Sequence, residues 1–421
     1  MSQMVRIFAL LLSSALLMFA GGLHGMLLPM RGTAEGFSLP ALGLIGAGWS
    51  VGFIAGSLAV PMLVRRVGHI RSYSVMASIA CMTILFNLIF VNDWAWIVLR
   101  VFSGFCFAGA AMVVESWLNE VSDNASRGTT FSIYTSVTLF ASTAGQLVIS
   151  VIGYAGFLPF VLAAIAYIGA VLPTAISRTP QPQPLNSAGL DLGLLIRTSP
   201  VAVVAAFSVG MANGAFNTLA PVYGLERGFD TTTVAYFVGL SVLIGAIAQV
   251  PLGRLSDRID RRLVLVGVAL NGVVAGILMM LVNPAGGLWL YVLIGLYGLS
   301  ANSLYAIAVA HANDYASHGE FGKIASGMLL ILGAGTMLGP IAASLLMERL
   351  GPWALFFVPI LFHAVLAGAA FLRMQVRARA SEEERAPFQP LPTEKTVTAE
   401  TIALDPRTEE TETLDEAREP A

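Results

Sequence analysis

Gly253-Arg254-Leu255-Ser256-Asp257-Arg258-Ile259-Asp260-Arg261-Arg262 packs four arginines and two aspartates into ten residues. On either side the charge stops. Residues 231–253 and 263–313 contain no Asp, Glu, Lys or Arg. A helix needs about 20 apolar residues to cross the hydrocarbon core of a bilayer. The decapeptide is therefore a polar loop between two membrane-crossing stretches. The 51-residue run after it is long enough for two crossings, with a turn signal at Asn283-Pro284-Ala285-Gly286-Gly287 in its middle.

The same reading extends along the chain. Charge-free runs cover residues 7–30, 36–64, 72–92, 128–177, 198–225, 324–347 and 350–372. The 50-residue run 128–177 again holds two spans, divided at Gly153-Tyr154-Ala155-Gly156. One more span, 94–118, is interrupted only by Arg100 and Glu115, which makes twelve. Composition agrees: of 421 residues 56% are hydrophobic and 11% charged, against about 25% charged in a soluble chain. The fold class is all-α integral membrane. Arg6 before the first span suggests a signal peptide, but a small-x-small cleavage site is lacking and the span is expected to remain.

Basic residues fix the expected orientation. With the N-terminus inside, Arg31, Arg227 and Arg349 are the only basic residues in outside loops, whereas inside segments up to Lys323 hold twelve. That excess places both termini in the cytoplasm of a multi-pass inner-membrane protein. Cys81 and Cys106 lie in apolar runs and read as buried hydrophobes, not as a disulfide framework.

The chain also repeats. A shift of 192 aligns Pro29 with Pro221, Gly36-Phe37 with Gly228-Phe229 and Arg66 with Arg258. A shift of 191 aligns Gly104 with Gly295, Asp123 with Asp314 and Gly128 with Gly319. The expected organisation is an N-terminal six-helix bundle (1–176), a Pro-rich cytoplasmic linker (177–199), a C-terminal bundle (200–374) and a tail (375–421). The tail holds twelve acids and six bases, and its composition reads as disordered. Two like-oriented six-helix halves related by a pseudo-twofold along the membrane normal are a transporter architecture.

These residues carry a family likeness. The opening decapeptide resembles the G-x-L-x-D-R-x-G-R-[RK] loop of the major facilitator superfamily, departing at Asp260, where glycine is usual. The N-terminal copy retains Leu63, Arg66 and Gly68, with Arg65 at the acidic position. Arg100-Val101-Phe102-Ser103-Gly104 resembles the R-x-x-x-G element of span 4, and Gly335-Thr336-Met337-Leu338-Gly339-Pro340 a G-x-x-x-G-P element. Val113-Val114-Glu115-Ser116, Gly145-Gln146-Leu147-Val148 and Ala220-Pro221-Val222-Tyr223 are similar to the YcaD-like branch. The resemblance implies twelve helices in two pseudo-symmetric bundles and secondary transport by alternating access. It also implies a gate at Gly253, Asp257, Arg258 and Arg66, with Asp257 latching the cytoplasmic side.

Ionisable groups at bilayer depth cost at least about 2.5–3.5 kcal/mol and need a reason. Glu115, whose repeat partner is Ala306, reads as a cavity-facing carboxylate for a coupling proton or a substrate group. The alternative is a salt bridge at the helix end with Arg127 or Arg66. Asn119 shares its face. Arg100 is a coupling residue by the family likeness, or else snorkels to headgroups. His24 can titrate, or hold two helices together. Tyr134, Thr138, Ser142 and Gln146 form a four-residue-spaced stripe on span 5, with Asn213 and Asn217 on span 7 and Tyr297, Asn302 and Tyr305 on span 10. Together they are expected to line a cavity. The alternative is polar glue between helices. His311 and His318 are assigned to a cytoplasmic loop.

The expected partners are a small polar or amphipathic metabolite, protons and the lipid bilayer, with the chain a monomer. Export by proton antiport, or a non-transporting sensor that kept the fold, remain open beside uptake. No phosphate-binding loop, metal-spaced His/Cys cluster or basic nucleic-acid surface occurs, so no cofactor, nucleic acid or enzymatic reaction is expected.

Overall fold

The computed structural model describes residues 3–122, 127–176, 191–316 and 320–377, together with Phe388, Leu391 and Thr398. The side chain of Arg127, His318 and most of the linker and tail lie outside the described residues. Twelve apolar helices carry the fold. They are α1 (Ile7–Ala34), α2 (Leu39–Val67), α3 (His69–Ile89), α4 (Asp93–Val121), α5 (Gly128–Ile152) and α6 (Leu158–Ile176), then α7 (Pro200–Glu226), α8 (Thr231–Arg258), α9 (Arg261–Val282), α10 (Gly287–Asn313), α11 (Gly322–Leu350) and α12 (Pro352–Val376). The two long charge-free runs break where their turn signals stand, at Gly153 (φ 73°) and at Asn283 (φ 44°) with Gly286 and Gly287. His311 is not in a loop: it is buried in the last turn of α10. The apolar pattern of α10 continues past the level at which a loop was expected.

The sequence repeat is a structural one. Gly36 and Gly228 both take positive φ, 77° and 75°, a region open to glycine at little cost. Phe37 N–H donates to the Gly32 carbonyl at 3.0 Å, and Phe229 N–H to Gly224 at 2.9 Å. Ser38 caps α2 by accepting from Ala41 N–H, and Asp230 caps α8 by accepting from Thr233 N–H. The same turn is thus built twice, once in each bundle.

Within a bundle the helices pair in matching ways: α2 with α4 and α8 with α10, α1 with α5 and α7 with α11. Small residues permit this closeness. Gly104 sits directly on the Trp49 carbonyl, and Gly298 on the Ser241 carbonyl, so a Cβ at either would collide with backbone.

Twelve crossings bring both ends of the bundle to one face, called here the terminal face. The halves meet toward the opposite, far face. A Cβ at Gly43 of α2 would stand 2.7 Å from the Pro340 carbonyl oxygen of α11, and one at Gly239 of α8 would stand 3.0 Å from Leu147 of α5. Gly46 of α2 packs on Thr218 of α7. All three contacts lie in the far-face part of their helices. Toward the terminal face, Phe388, Leu391 and Thr398 of the tail stand among the helix ends instead.

Candidate functional site: a central cavity and a gated vestibule

A cavity of about 80 Å³ lies between the halves at the level of the far-face contacts. Gly21, Gly22 and Gly25 make a side-chain-free wall on α1. Trp49 of α2 and Phe107 of α4 supply rings 5.9 Å apart. Ser142 and Gln146 of α5, Asn217 of α7 and Asn302 of α10 supply polar groups. Arg100 of α4 is the only charged residue among those lining it. Its side chain is buried, and the guanidinium carbon stands 6.0 Å from the Trp49 ring centroid. Among the described residues no carboxylate forms an ion pair with it, and its Nε has no hydrogen-bond partner. Gln146 Oε1 also lacks a partner.

Several expected lining residues have other work. Asn213 Nδ2 donates to the Ala301 carbonyl at 2.6 Å and ties α7 to α10. His24 Nδ1 stands 3.3 Å from the Tyr167 hydroxyl and joins α1 to α6. Tyr305 and Tyr297 are buried within α10, Tyr297 among aromatic rings. The α5 stripe divides: Ser142 and Gln146 reach the cavity, while Thr138 back-bonds to the Thr135 carbonyl and Tyr134 faces elsewhere.

Tyr134 faces Glu115. Its hydroxyl donates to Glu115 Oε1 at 2.6 Å, and both side chains are wholly buried. Thr398 of the tail donates to the other oxygen, Oε2. Fifteen residues of helix separate Arg100 from Glu115, about 22 Å along α4, so the two lie on different levels and do not meet. Asn119 is half-buried one turn beyond, its Oδ1 without a partner among the described residues. Arg66, one alternative partner for Glu115, is exposed at the end of α2.

The opening decapeptide forms the mouth. Arg261, with a side chain 1% exposed, donates through Nε to Asp314 at 2.8 Å and pairs through Nη1 with Asp257 at 2.9 Å. Asp260 explains its departure from glycine. It caps α9 by accepting from Arg262 N–H at 2.9 Å and binds the Arg262 guanidinium through both oxygens. Partial burial works against its charge, but these hydrogen bonds and the Arg262 cation hold its carboxyl below the usual carboxylate range. Arg258 is exposed. Gly253 is buried, and the Phe388 ring lies where its Cβ would be.

A sequence profile of the Major Facilitator Superfamily matches residues 10–302 and 238–407. The chain belongs to the major facilitator superfamily. It is therefore a membrane transporter. This superfamily member is 27% identical, over 321 residues, to the "Uncharacterized MFS-type transporter YcaD" of Salmonella newport (strain SL254), which covers 75% of this chain and 82% of that one. The fold is shared with the solved nucleoside transporter NupG (TM-score 0.72, 15% identity, 88% of this chain and 100% of that one). It is also shared with an inward-facing, occupied bacterial homolog of the human lysosomal transporter Spinster (0.72, 15%, 90% and 97%).

Sequence reasoning missed Trp49, Phe107, Gln249, Arg261 and Asp314 as site residues. Asp314 had a signal, its repeat partner Asp123. Trp49 had a weaker one, an aromatic residue inside the glycine series of α2.

Proposed function

We propose that this protein is a secondary transporter that moves a small amphipathic anion across the inner membrane by alternating access, coupled to a proton carried at Glu115. One observation carries the substrate chemistry: Arg100 is the sole charge lining the central cavity, is buried, and has no ion pair among the described residues. An uncompensated buried charge is expensive, so a substrate carboxylate or phosphate that supplies the counter-charge gains strongly. The planar guanidinium suits a bidentate anion. Trp49 and Phe107 would take an apolar or ring portion, and Gln146 and Asn217 would orient polar groups.

The transport cycle follows from where the halves touch. The glycine contacts between the halves lie toward the far face, while tail residues stand against α8 and α4 toward the terminal face. With the basic-loop bias placing the terminal face in the cytoplasm, this is an inward-facing arrangement. The outward-facing one needs the far-face glycine contacts to open and the Asp257–Arg261–Asp314 mouth to meet the other half. Glu115, on the same rigid helix as Arg100 but on the terminal side, exchanges its proton when the mouth is open. Its Tyr134 hydrogen bond holds the carboxylate in place.

The test uses the purified full chain in detergent, with propionate, benzoate and indole-3-acetate as probes beside their amides and amines. Acids are expected to raise the unfolding midpoint by mass action, the neutral and cationic analogues are not, and Arg100→Gln abolishes the effect. An amide or amine that stabilises as well as its acid overturns the anion reading. In proteoliposomes Glu115→Gln should remove the proton-gradient dependence of uptake of whichever acid binds; unchanged dependence overturns the coupling role.

A further inference from the structure

Three residues of the acidic tail stand inside the protein, and each meets polar groups of the transport machinery. Phe388 N–H donates to both oxygens of Asp257, at 3.1 and 3.2 Å, while its ring fills the space above Gly253. Leu391 N–H donates to Gln249 Oε1 at 3.1 Å, and its side chain is buried. Thr398 is buried and donates to Glu115. The first two contacts are on α8 and the third is on α4, so the three residues between them touch both halves.

The spacing is internally consistent. Gln249 lies eight residues before Asp257 on α8, about 12 Å deeper. Phe388 to Leu391 is three residues, about 10 Å when extended, so Leu391 can reach the deeper contact on α8 while Phe388 holds the outer one. The local sequence suits this path. Residues 386–393 are uncharged within a strongly charged tail, and Pro387, Pro390 and Pro392 favour an extended chain. Between Pro387 and Pro392 only Phe388, Gln389 and Leu391 carry an N–H, and Phe388 and Leu391 both spend theirs on α8 side chains.

We propose that the vestibule on the terminal face is a peptide-docking site whose occupant is this chain's own tail, seated through Phe388, Leu391 and Thr398, which covers Asp257 and Glu115. Asp257, the residue expected to latch the closed mouth, is held by a tail amide. Glu115, the proposed proton carrier, is capped by a tail hydroxyl. While the segment is docked, neither group is free for its part in the cycle. Release of the tail, and with it any modification of the Thr398 hydroxyl that adds negative charge beside Glu115, turns the transporter on.

The test is competition. A chain ended after Arg377 keeps the contacts of that residue with Thr198, Arg262 and Tyr315, and a labelled synthetic peptide of residues 384–400 is titrated against it by fluorescence anisotropy. A short tether supplies an effective concentration of the order of millimolar, so docking in cis requires only a Kd in trans of roughly 10 µM to 1 mM. The full-length chain should bind the peptide at least tenfold more weakly, its site being filled. Gly253→Phe in the shortened chain occupies the Phe388 socket and should weaken binding at least tenfold. A Phe388→Asp peptide should do the same with the protein unaltered. In cis, Gln249→Cys with Leu391→Cys, in a chain lacking Cys81 and Cys106, should form a disulfide. Equal peptide binding by full and shortened chains, no binding by either, or no cross-link overturns the proposal. The transport reading stands or falls separately, on the acid-binding and flux measurements.

Discussion

Removing Asp314 should cost far more than removing Asp257, although both bind the same arginine. The Arg261 side chain is 1% exposed and Asp314 4%, whereas Asp257 is 33% exposed. Breaking one partner of a buried pair leaves a desolvated charge and costs about 3–5 kcal/mol. Asp257 and Ser256 Oγ, the latter 2.9 Å from Arg261 Nη1, still compensate part of the cation. Asp314→Ala is therefore placed at about 2–3 kcal/mol, at or just below the lower limit of that range. Asp257→Ala, discounted for its solvent access, is placed at about 1 kcal/mol or less. The surface pair Arg31–Glu35 is 20% and 28% exposed, so Glu35→Ala should cost only a few tenths of a kcal/mol, as for exposed i, i+4 pairs generally. With about 2–4 °C per kcal/mol for a unit of some 200 residues, Asp314→Ala should lower the midpoint by roughly 4–12 °C. Cys106 is buried and Cys81 half-buried, so a thiol-reactive dye reports unfolding directly. Equal midpoints for Asp314→Ala and Asp257→Ala, or a shift under about 1 °C for Asp314→Ala against the several degrees expected, would refute the claim that burial of the Arg261 pair sets its worth.

Two further outcomes separate structural polar residues from working ones. Asn213→Ala removes an α7–α10 hydrogen bond worth about 0.6–1.7 kcal/mol in a membrane; it should lower the unfolding midpoint but leave acid binding at Arg100 unchanged, and a loss of binding would put Asn213 back in the cavity. Asp260 has a depressed folded-state pKa, so its contribution is fully present above the unfolded carboxyl value near 4 and fades as pH falls through the folded value. The midpoint difference between wild type and Asp260→Asn should therefore be constant at pH 6–7 and shrink below about pH 4; a difference independent of pH would exclude the Arg262 pairing as its source.

The helix count was legible because charge marks helix ends in this chain, and the two hidden turns were marked by Gly-rich or Asn-Pro stretches. The polar residues inside the membrane were legible as a set but not one by one. Asn213 and Asn217 are one turn apart on α7, yet Asn213 bonds to α10 and Asn217 lines the cavity. A single sequence shows the shared face but not which neighbour stands opposite. The α5 stripe failed to stay together for a related reason: 12 residues of helix cover about 18 Å, enough for Tyr134 to serve Glu115 while Gln146 serves the cavity. Contacts across long chain separations, Thr398 to Glu115 above all, leave no periodic trace. The tail's only advance signal was an uncharged, proline-spaced stretch amid acids, and composition alone read it as solvated.

The internal repeat itself sorts structure from function. Features present in both halves build the scaffold: Pro29 and Pro221 inside α1 and α7, the Gly36 and Gly228 turns, the Ser38 and Asp230 caps. Both halves need them because both fold by the same contacts. Arg100 aligns at a shift of 191 with Tyr291, and Glu115 with Ala306, so neither charge is required by that scaffold. The contacts shared by the two halves therefore do not account for these two buried charges, since the twin half packs without them. Arg100 and Glu115 both lie on α4, one in the cavity and one in the vestibule. Under the proposed function, a rigid helix carrying Arg100 at one level and Glu115 at another makes any movement of the N-terminal half act on both sites at once.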